Sequence, residues 1–226
     1  MCGRFVQQYA VDIPARFGAS APAATQLELA PRYNVAPTQQ IPVVVEPGKG
    51  ERRVEPARWG LTPRFGKQGD KAPVLFNARV ETLPEKASFR RLLPHRRCLV
   101  PADGFYEWEK VGGAKLPWLY RLKGAEPFAF AGLYDVWTEP DGREVTACTI
   151  LTTAPNELVL PVHDRMPVIL PRDLEDDWLD PDLDDPQGLL PLLGPYPAGE
   201  MERVAVSKLV NNSRLDDPRL IEPVAA

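Results

Sequence analysis

Apolar positions along this chain fall in short runs, several alternating with polar residues and several almost uniformly apolar. They read as strands at "IPVVVE" (41–46), "RRVEPARWG" (52–60), "VLFNARV" (74–80), "RCLVPADGFYEWE" (97–109), "PWLYRLK" (117–123), "PFAFAGLYDVW" (127–137), "EVTACTILTT" (144–153), "MPVIL" (166–170) and "MERVAVS" (201–207). Between two of these runs, "EPDGRE" places Asp141-Gly142 at the turn of a hairpin. Helical spacing is rarer: "SFRRLL" (88–93), "APNELVL" (154–160) and "PRDLEDDWL" (171–179), the last with proline at its start and acids in its first turns. The 26 prolines cut the chain into short elements with no repeat and no long linker. These patterns predict an α+β fold. It is a β-rich single domain over 1–226, with a mostly antiparallel, barrel-like or bifurcated sheet and peripheral helices.

Composition narrows the class. At 226 residues the chain can bury a core without staples. Cysteines stand only at positions 2, 98 and 148, an odd and scattered set that predicts a reducing compartment and no disulfide framework. His95 and His163 belong to no zinc-type spacing, so neither metal nor cofactor is expected. The amino-terminal residues lack a signal-peptide pattern, and no run nears the ~20 apolar residues of a membrane span. A cytoplasmic monomer without a membrane partner is expected.

The net charge of −4 speaks against nucleic acid until its distribution is considered. Residues 171–200 hold nine acids and one base, a balance of −8, leaving −4 − (−8) = +4 for the rest. Arginines crowd that remainder at 52, 53, 58, 64, 79, 90, 91, 96 and 97. A basic groove would have this distribution, and so would a solvated charged face.

Four stretches could carry chemistry. In "MCGRF", loss of Met1 would leave Cys2 with an α-amine and a thiol on adjacent carbons, each nucleophilic near neutral pH and able to attack one electrophile in turn. A buried strand start with a small core cysteine is the competing reading. In "FNARVET" an extended backbone puts Asn77 and Arg79 on one face, as a site wall or as the polar side of a half-exposed strand. In "PADGFYEWEK", Glu107 sits among aromatics that could keep it protonated near pH 7, unless it faces solvent. Strict alternation sends Glu107 and Trp108 to opposite faces, so both serve one site only at a bulge or strand end. In "LPVHDRMPVIL", His163 and Arg165 would alternate onto one side, a proton-transfer group beside an anion-binding guanidinium.

Together with "RYNVAPTQ" (32–39), "RWGLTP" (58–63), "RCLVPADGFYEW" (97–108), "HDRMPVIL" (163–170) and "VSKLVNNSRLDDPRLIEP" (206–223), these stretches resemble the SRAP family of SOS-response-associated peptidases or abasic-site processing proteins, in its short bacterial form. The matching elements span almost the whole chain in one order. The resemblance implies a protein that binds single-stranded DNA, including single/double-strand junctions, and captures the aldehyde of an abasic site. The terminal amine would form a Schiff base and the Cys2 thiol would close a thiazolidine. On the same ground Asn77 would position the amino terminus or sugar, Glu107 would shuttle protons and His163 would assist the imine chemistry. Arg4, Arg79 and Arg165 would hold phosphates, and Trp108 would stack on a base or wedge at a junction. The peptidase label points to self-removal of Met1, with a cellular aminopeptidase as the alternative.

At "TPRFGKQGDK" the chain has Phe65 where relatives often carry a tryptophan, so a stacking role there is in doubt. Two rival functions remain. An N-terminal-nucleophile amidohydrolase can also begin "MCG", but its relatives carry motifs and a second domain that are missing here. A single-strand binding module without chemistry is the other, and it would tolerate loss of the Cys2 thiol.

Overall fold

In a computed structural model, residues 2–21, 29–62, 74–138 and 142–224 are described. The chain enters through β1 (Phe5–Gln7), β2 (Arg32–Val35), β3 (Gln40–Val45), β4 (Arg53–Trp59) and β5 (Asn77–Arg79). It continues through β6 (Arg97–Ala102), β7 (Gly104–Val111), β8 (Ala114–Leu122), β9 (Phe128–Thr138) and β10 (Glu144–Thr153). The short strands β11 (Met166–Pro167) and β12 (Ile169–Leu170) and then β13 (Met201–Ala205) complete the set.

Five strands close on themselves. In the order β10-β4-β3-β6-β9, β9 pairs back onto β10, so the ring is a barrel; β10 and β4 run parallel and the other ring pairings are antiparallel. A second sheet of order β13-β8-β7-β1-β2 is antiparallel throughout. The fold is thus β-rich with few helices, as the patterning predicts.

The uniformly apolar runs bury both faces. Val43, Val45, Cys98, Val100, Phe130, Cys148 and Ile150 pack with Phe5, Phe105 and Tyr120 of the second sheet. Their alternating neighbours Val44, Leu99, Leu133 and Leu151 pack with Ile13, Phe89, Leu92 and Trp178 from the helical segments. Gly132, where β9 pairs with both β6 and β10, leaves no room for a side chain. A Cβ there would lie 2.8 Å from Cys98 Sγ and 3.1 Å from the Thr149 carbonyl.

Three sequence expectations are corrected. The run 97–109 is not one strand: it bends at Asp103, leaving the barrel as β6 and entering the second sheet as β7, which makes it the link between the two sheets. The run 154–160 forms successive turns rather than a helix. Pro155 and Pro161 bracket it, and the Asn156 carboxamide takes the Leu158 and Val159 N–H groups at 3.1 and 3.0 Å. The strand expected over 74–80 keeps only β5, with an isolated bridge between Leu61 and Leu75 ahead of it. The hairpin of β9 and β10 is present, but Asp141 of its expected turn lies outside the described residues. Among the described residues no helix is long and apolar enough to cross a membrane.

Candidate active site

Cys2 lies in the core between the sheets, fully buried. The anchor is Phe5, three residues on, whose ring meets Trp59 edge-on at 5.0 Å and Phe130 at 5.8 Å. Burial pushes the Cys2 thiol well above its ordinary range, and the nearby charge of Glu107 adds to the effect. The thiol is therefore protonated in the folded protein, its Sγ directed at the Arg4 carbonyl at 3.9 Å.

Two neighbouring strands bring polar groups to it. β5 runs parallel to β10, with Asn77 opposite Ile150 and Arg79 opposite Thr152. The Phe76 carbonyl fixes its start by accepting from Trp59 Nε1 at 2.8 Å and from the Ile150 N–H at 3.1 Å. Asn77 Nδ2 then donates to the Cys2 carbonyl at 2.8 Å. Asn77 Oδ1 is buried and has no hydrogen-bond partner among the described residues. From the other side comes Glu107. β1 and β7 pair antiparallel with Phe5 opposite Phe105, and the Tyr106 N–H donates to the Arg4 carbonyl at 3.0 Å. Continued two residues, this register sets Gly3 beside Glu107. The Glu107 side chain is buried, and desolvation pushes its carboxyl up to about 7.

Alternation along β7 holds. Phe105 belongs to the core cluster of Cys2, whereas Tyr106 and Trp108 turn to the opposite face and pack beneath the C-terminal segment. On that face the Arg4 guanidinium lies 5.9 Å from the centroid of the Trp108 ring, and Trp108 Nε1 donates to Asn211 Oδ1 at 2.6 Å. Arg4 Nη1 also donates to Asn34 Oδ1 at 2.8 Å and to the Val210 carbonyl at 2.9 Å. Arg4 and Trp108 therefore form a second cluster, back to back with Cys2 and Glu107.

His163 ends the turn segment before β11 and is not in a strand, so strand alternation does not bring it and Arg165 together. Its Nδ1 lies 3.0 Å from both the Arg165 N–H and the Asp164 Oδ1. Burial lowers its pKa and favours the neutral form. The charge of its neighbour Asp164 acts on Glu107, so the His163 segment lies within electrostatic range of that carboxyl. Arg165 is largely enclosed, and its guanidinium donates to both Glu81 carboxylate oxygens at 2.7 and 2.9 Å and to the Thr152 carbonyl. Arg79 is exposed beside them.

The acidic segment pairs elsewhere: Glu175 with Arg16, Asp176 with Arg52 and Asp182 with Lys49. Three of its nine acids are paired in this way, none of the three with Arg4, Arg79 or Arg165. Met1 and Phe65 lie outside the described residues. Among the described residues no cluster of His, Cys, Asp and Glu is arranged to hold a metal ion.

Sequence reasoning missed Glu81 and Asn34 as site neighbours. Glu81 stands two positions after Arg79, a signal within reach. Asn34 donates to the Asn212 and Leu215 carbonyls at 3.0 and 2.8 Å, partners that local sequence does not reveal.

Residues 1–213 match the family model described as SOS response associated peptidase (SRAP). The chain is 43% identical over 232 residues to the abasic site processing protein YoqW of Bacillus subtilis, covering 98% of this chain and 99% of that one. It is 31% identical to the abasic site processing protein YedK of Escherichia coli, covering 99% and 100%. It is 32% identical to the abasic site processing protein HMCES of Pongo abelii, covering 86% of this chain and 65% of the relative. A crystal structure of a protein from Bacteroides thetaiotaomicron superposes with a TM-score of 0.87 at 27% identity, over 99% of this chain and 100% of that one.

Proposed function

Because the chain belongs to the SRAP family of abasic site processing proteins, we propose that it captures abasic sites in single-stranded DNA as a covalent thiazolidine on Cys2. The observation that carries this reading is the enclosure of Cys2 between a carboxamide that holds its carbonyl and a carboxyl pushed up to about 7.

The chemistry follows from those environments. Once Met1 is removed, the Cys2 α-amine attacks the aldehyde carbon of the ring-opened sugar; water leaves and a C=N bond forms. The buried thiol is protonated and a poor nucleophile until it loses its proton. Glu107, which at neutral pH is present in both protonation states, takes that proton as sulfur bonds to the imine carbon and returns one to the nitrogen. The ring closes with no net change in protons. Asn77 keeps the Cys2 carbonyl, and with it the amine, in a fixed pose, and its buried Oδ1 offers an acceptor to the amine or to a sugar hydroxyl. His163, kept neutral by burial, serves in proton transfer to the departing hydroxyl.

DNA backbone contacts fall to Arg79 and Arg165 on the Asn77 side and to Arg4 behind it, with Trp108 offering a stacking surface on the Arg4 face. A simple imine hydrolyses on denaturation, whereas a thiazolidine survives. Methionine-free protein mixed with an oligonucleotide bearing one abasic site should give a species that survives denaturation without borohydride. Its intact mass should equal the sum of both components less one water. Cys2→Ala should abolish it while retaining binding. An equal yield of that species from Cys2→Ala would remove Cys2 from the chemistry, and its failure to form with the methionine-free protein would refute the reading.

A further inference from the structure

The arginine that the proposed reading assigns to DNA phosphate is already holding an anion. Arg165 grips Glu81 end-on, Nη1 to Oε1 at 2.7 Å and Nη2 to Oε2 at 2.9 Å, the two-pronged geometry with which a guanidinium also receives a phosphate. The two partners differ in freedom. The Arg165 side chain is 12% exposed and further tied to the Thr152 carbonyl, whereas Glu81 is 53% exposed. The arginine is the fixed half of the pair and the carboxylate is the half that can swing into solvent. Arg79 stands opposite Thr152 on the adjoining strand, so its charge reaches the same carboxylate. The hydrogen bonds from Arg165 hold the Glu81 carboxyl below its usual range, which keeps it ionised at any working pH.

Resting on the reading that Arg79 and Arg165 hold DNA phosphate, we propose that Glu81 is an internal phosphate surrogate that occupies the arginine clamp in the free protein and is displaced by the DNA backbone. A phosphate arriving at this clamp exchanges with a carboxylate instead of filling an empty cation site. The exchange lowers the net gain on binding any strand. It also lowers the counterion release, because the expelled carboxylate gathers cations of its own. Glu81 would therefore keep affinity for undamaged strands low, so that the protein leaves them. Covalent capture at a lesion does not depend on tight prior binding.

The test measures binding of a labelled, lesion-free oligothymidine by fluorescence anisotropy through a salt titration. The proteins compared are the unaltered chain, Glu81→Gln, Glu81→Ala, Arg165→Ala and the double variant Glu81→Gln/Arg165→Ala. Releasing one half-exposed ion pair should tighten binding about three-fold at low salt. The log–log salt slope should steepen by up to ~0.7. Both Glu81 variants should act in the same direction, and the gain should vanish in the Arg165→Ala background. Thermal melts of each protein confirm that folded chains are compared.

Weaker or unchanged binding by folded Glu81→Gln would make Glu81 a mere support for Arg165 and overturn the proposal. An equal gain in the Arg165→Ala background would reduce it to a bulk charge effect, which also overturns it. If the unaltered protein binds no strand at any salt, the phosphate reading itself has failed, and the surrogate falls with it by a different and recognisable result.

Discussion

Glu107 is a carboxyl the fold would hold more easily without its charge, and that tension can be measured. Its pKa rises from 4.5 to about 7 through burial. At ~1.4 kcal/mol per pKa unit, an ionised Glu107 costs the native state about 3 kcal/mol. The sign is set by which state holds the proton more tightly. Here the folded state does, so the cost is absent below the unfolded value, grows as pH rises through the interval from 4.5 to about 7, and is constant above it. Glu107→Gln keeps the shape and removes the charge. Its unfolding free energy should exceed that of the unaltered protein by about 3 kcal/mol more at about pH 8 than at about pH 4. In a chain of this size that difference moves Tm by roughly 6 to 12 °C.

Urea unfolding followed by tryptophan fluorescence at matched pH values reads the difference directly. Asp103, which burial pushes up to about 6, titrates in both proteins and cancels. The same variant should form the cross-link far more slowly, because the base for the thiol is gone. Stability curves for the two proteins that run parallel from acid to neutral pH would refute the argument. Glu107 would then ionise as in the unfolded chain, and its assignment as the proton carrier would lose its physical basis.

Other perturbations test the supports around it. Asn77→Ala removes the donor to the Cys2 carbonyl and should slow cross-linking about two- to twelve-fold, the equivalent of ~0.5–1.5 kcal/mol for one hydrogen bond, as read from timed denaturing gels. Asn34→Ala strips the partners of Arg4, Asn212 and Leu215 together. It should cost about 2–3 kcal/mol in urea unfolding, with limited proteolysis cutting first in the segment that Asn34 holds.

Much of the fold was legible in the sequence because strand burial is a local pattern. The run 144–153 matches β10 from end to end, and β3 and β9 differ from their predicted spans by one residue at each end. What hydrophobic pattern cannot show is a change of partner within one apolar run. The bend at Asp103 is invisible because residues on both sides of it are buried. The 154–160 run misled because three apolar residues after an asparagine resemble a capped helix, while the flanking prolines leave room only for turns. At the site, the alternation that separates Glu107 from Trp108 could be read residue by residue. The pairing of Arg4 with Val210 could not, since nothing near either residue encodes the other.

The hydrogen bond from Arg4 to the Val210 carbonyl spans 206 positions of sequence. It also sets a clock. A ribosome adds roughly 5 to 20 residues per second, so about 10 to 40 seconds separate the synthesis of Arg4 from that of the carbonyl that locks it. Throughout that interval the face lined by Arg4, Tyr106 and Trp108 lacks Val210 and Leu220, which cover it in the finished protein. Chain growth itself thus orders the events, with the Arg4 face of the second sheet covered last.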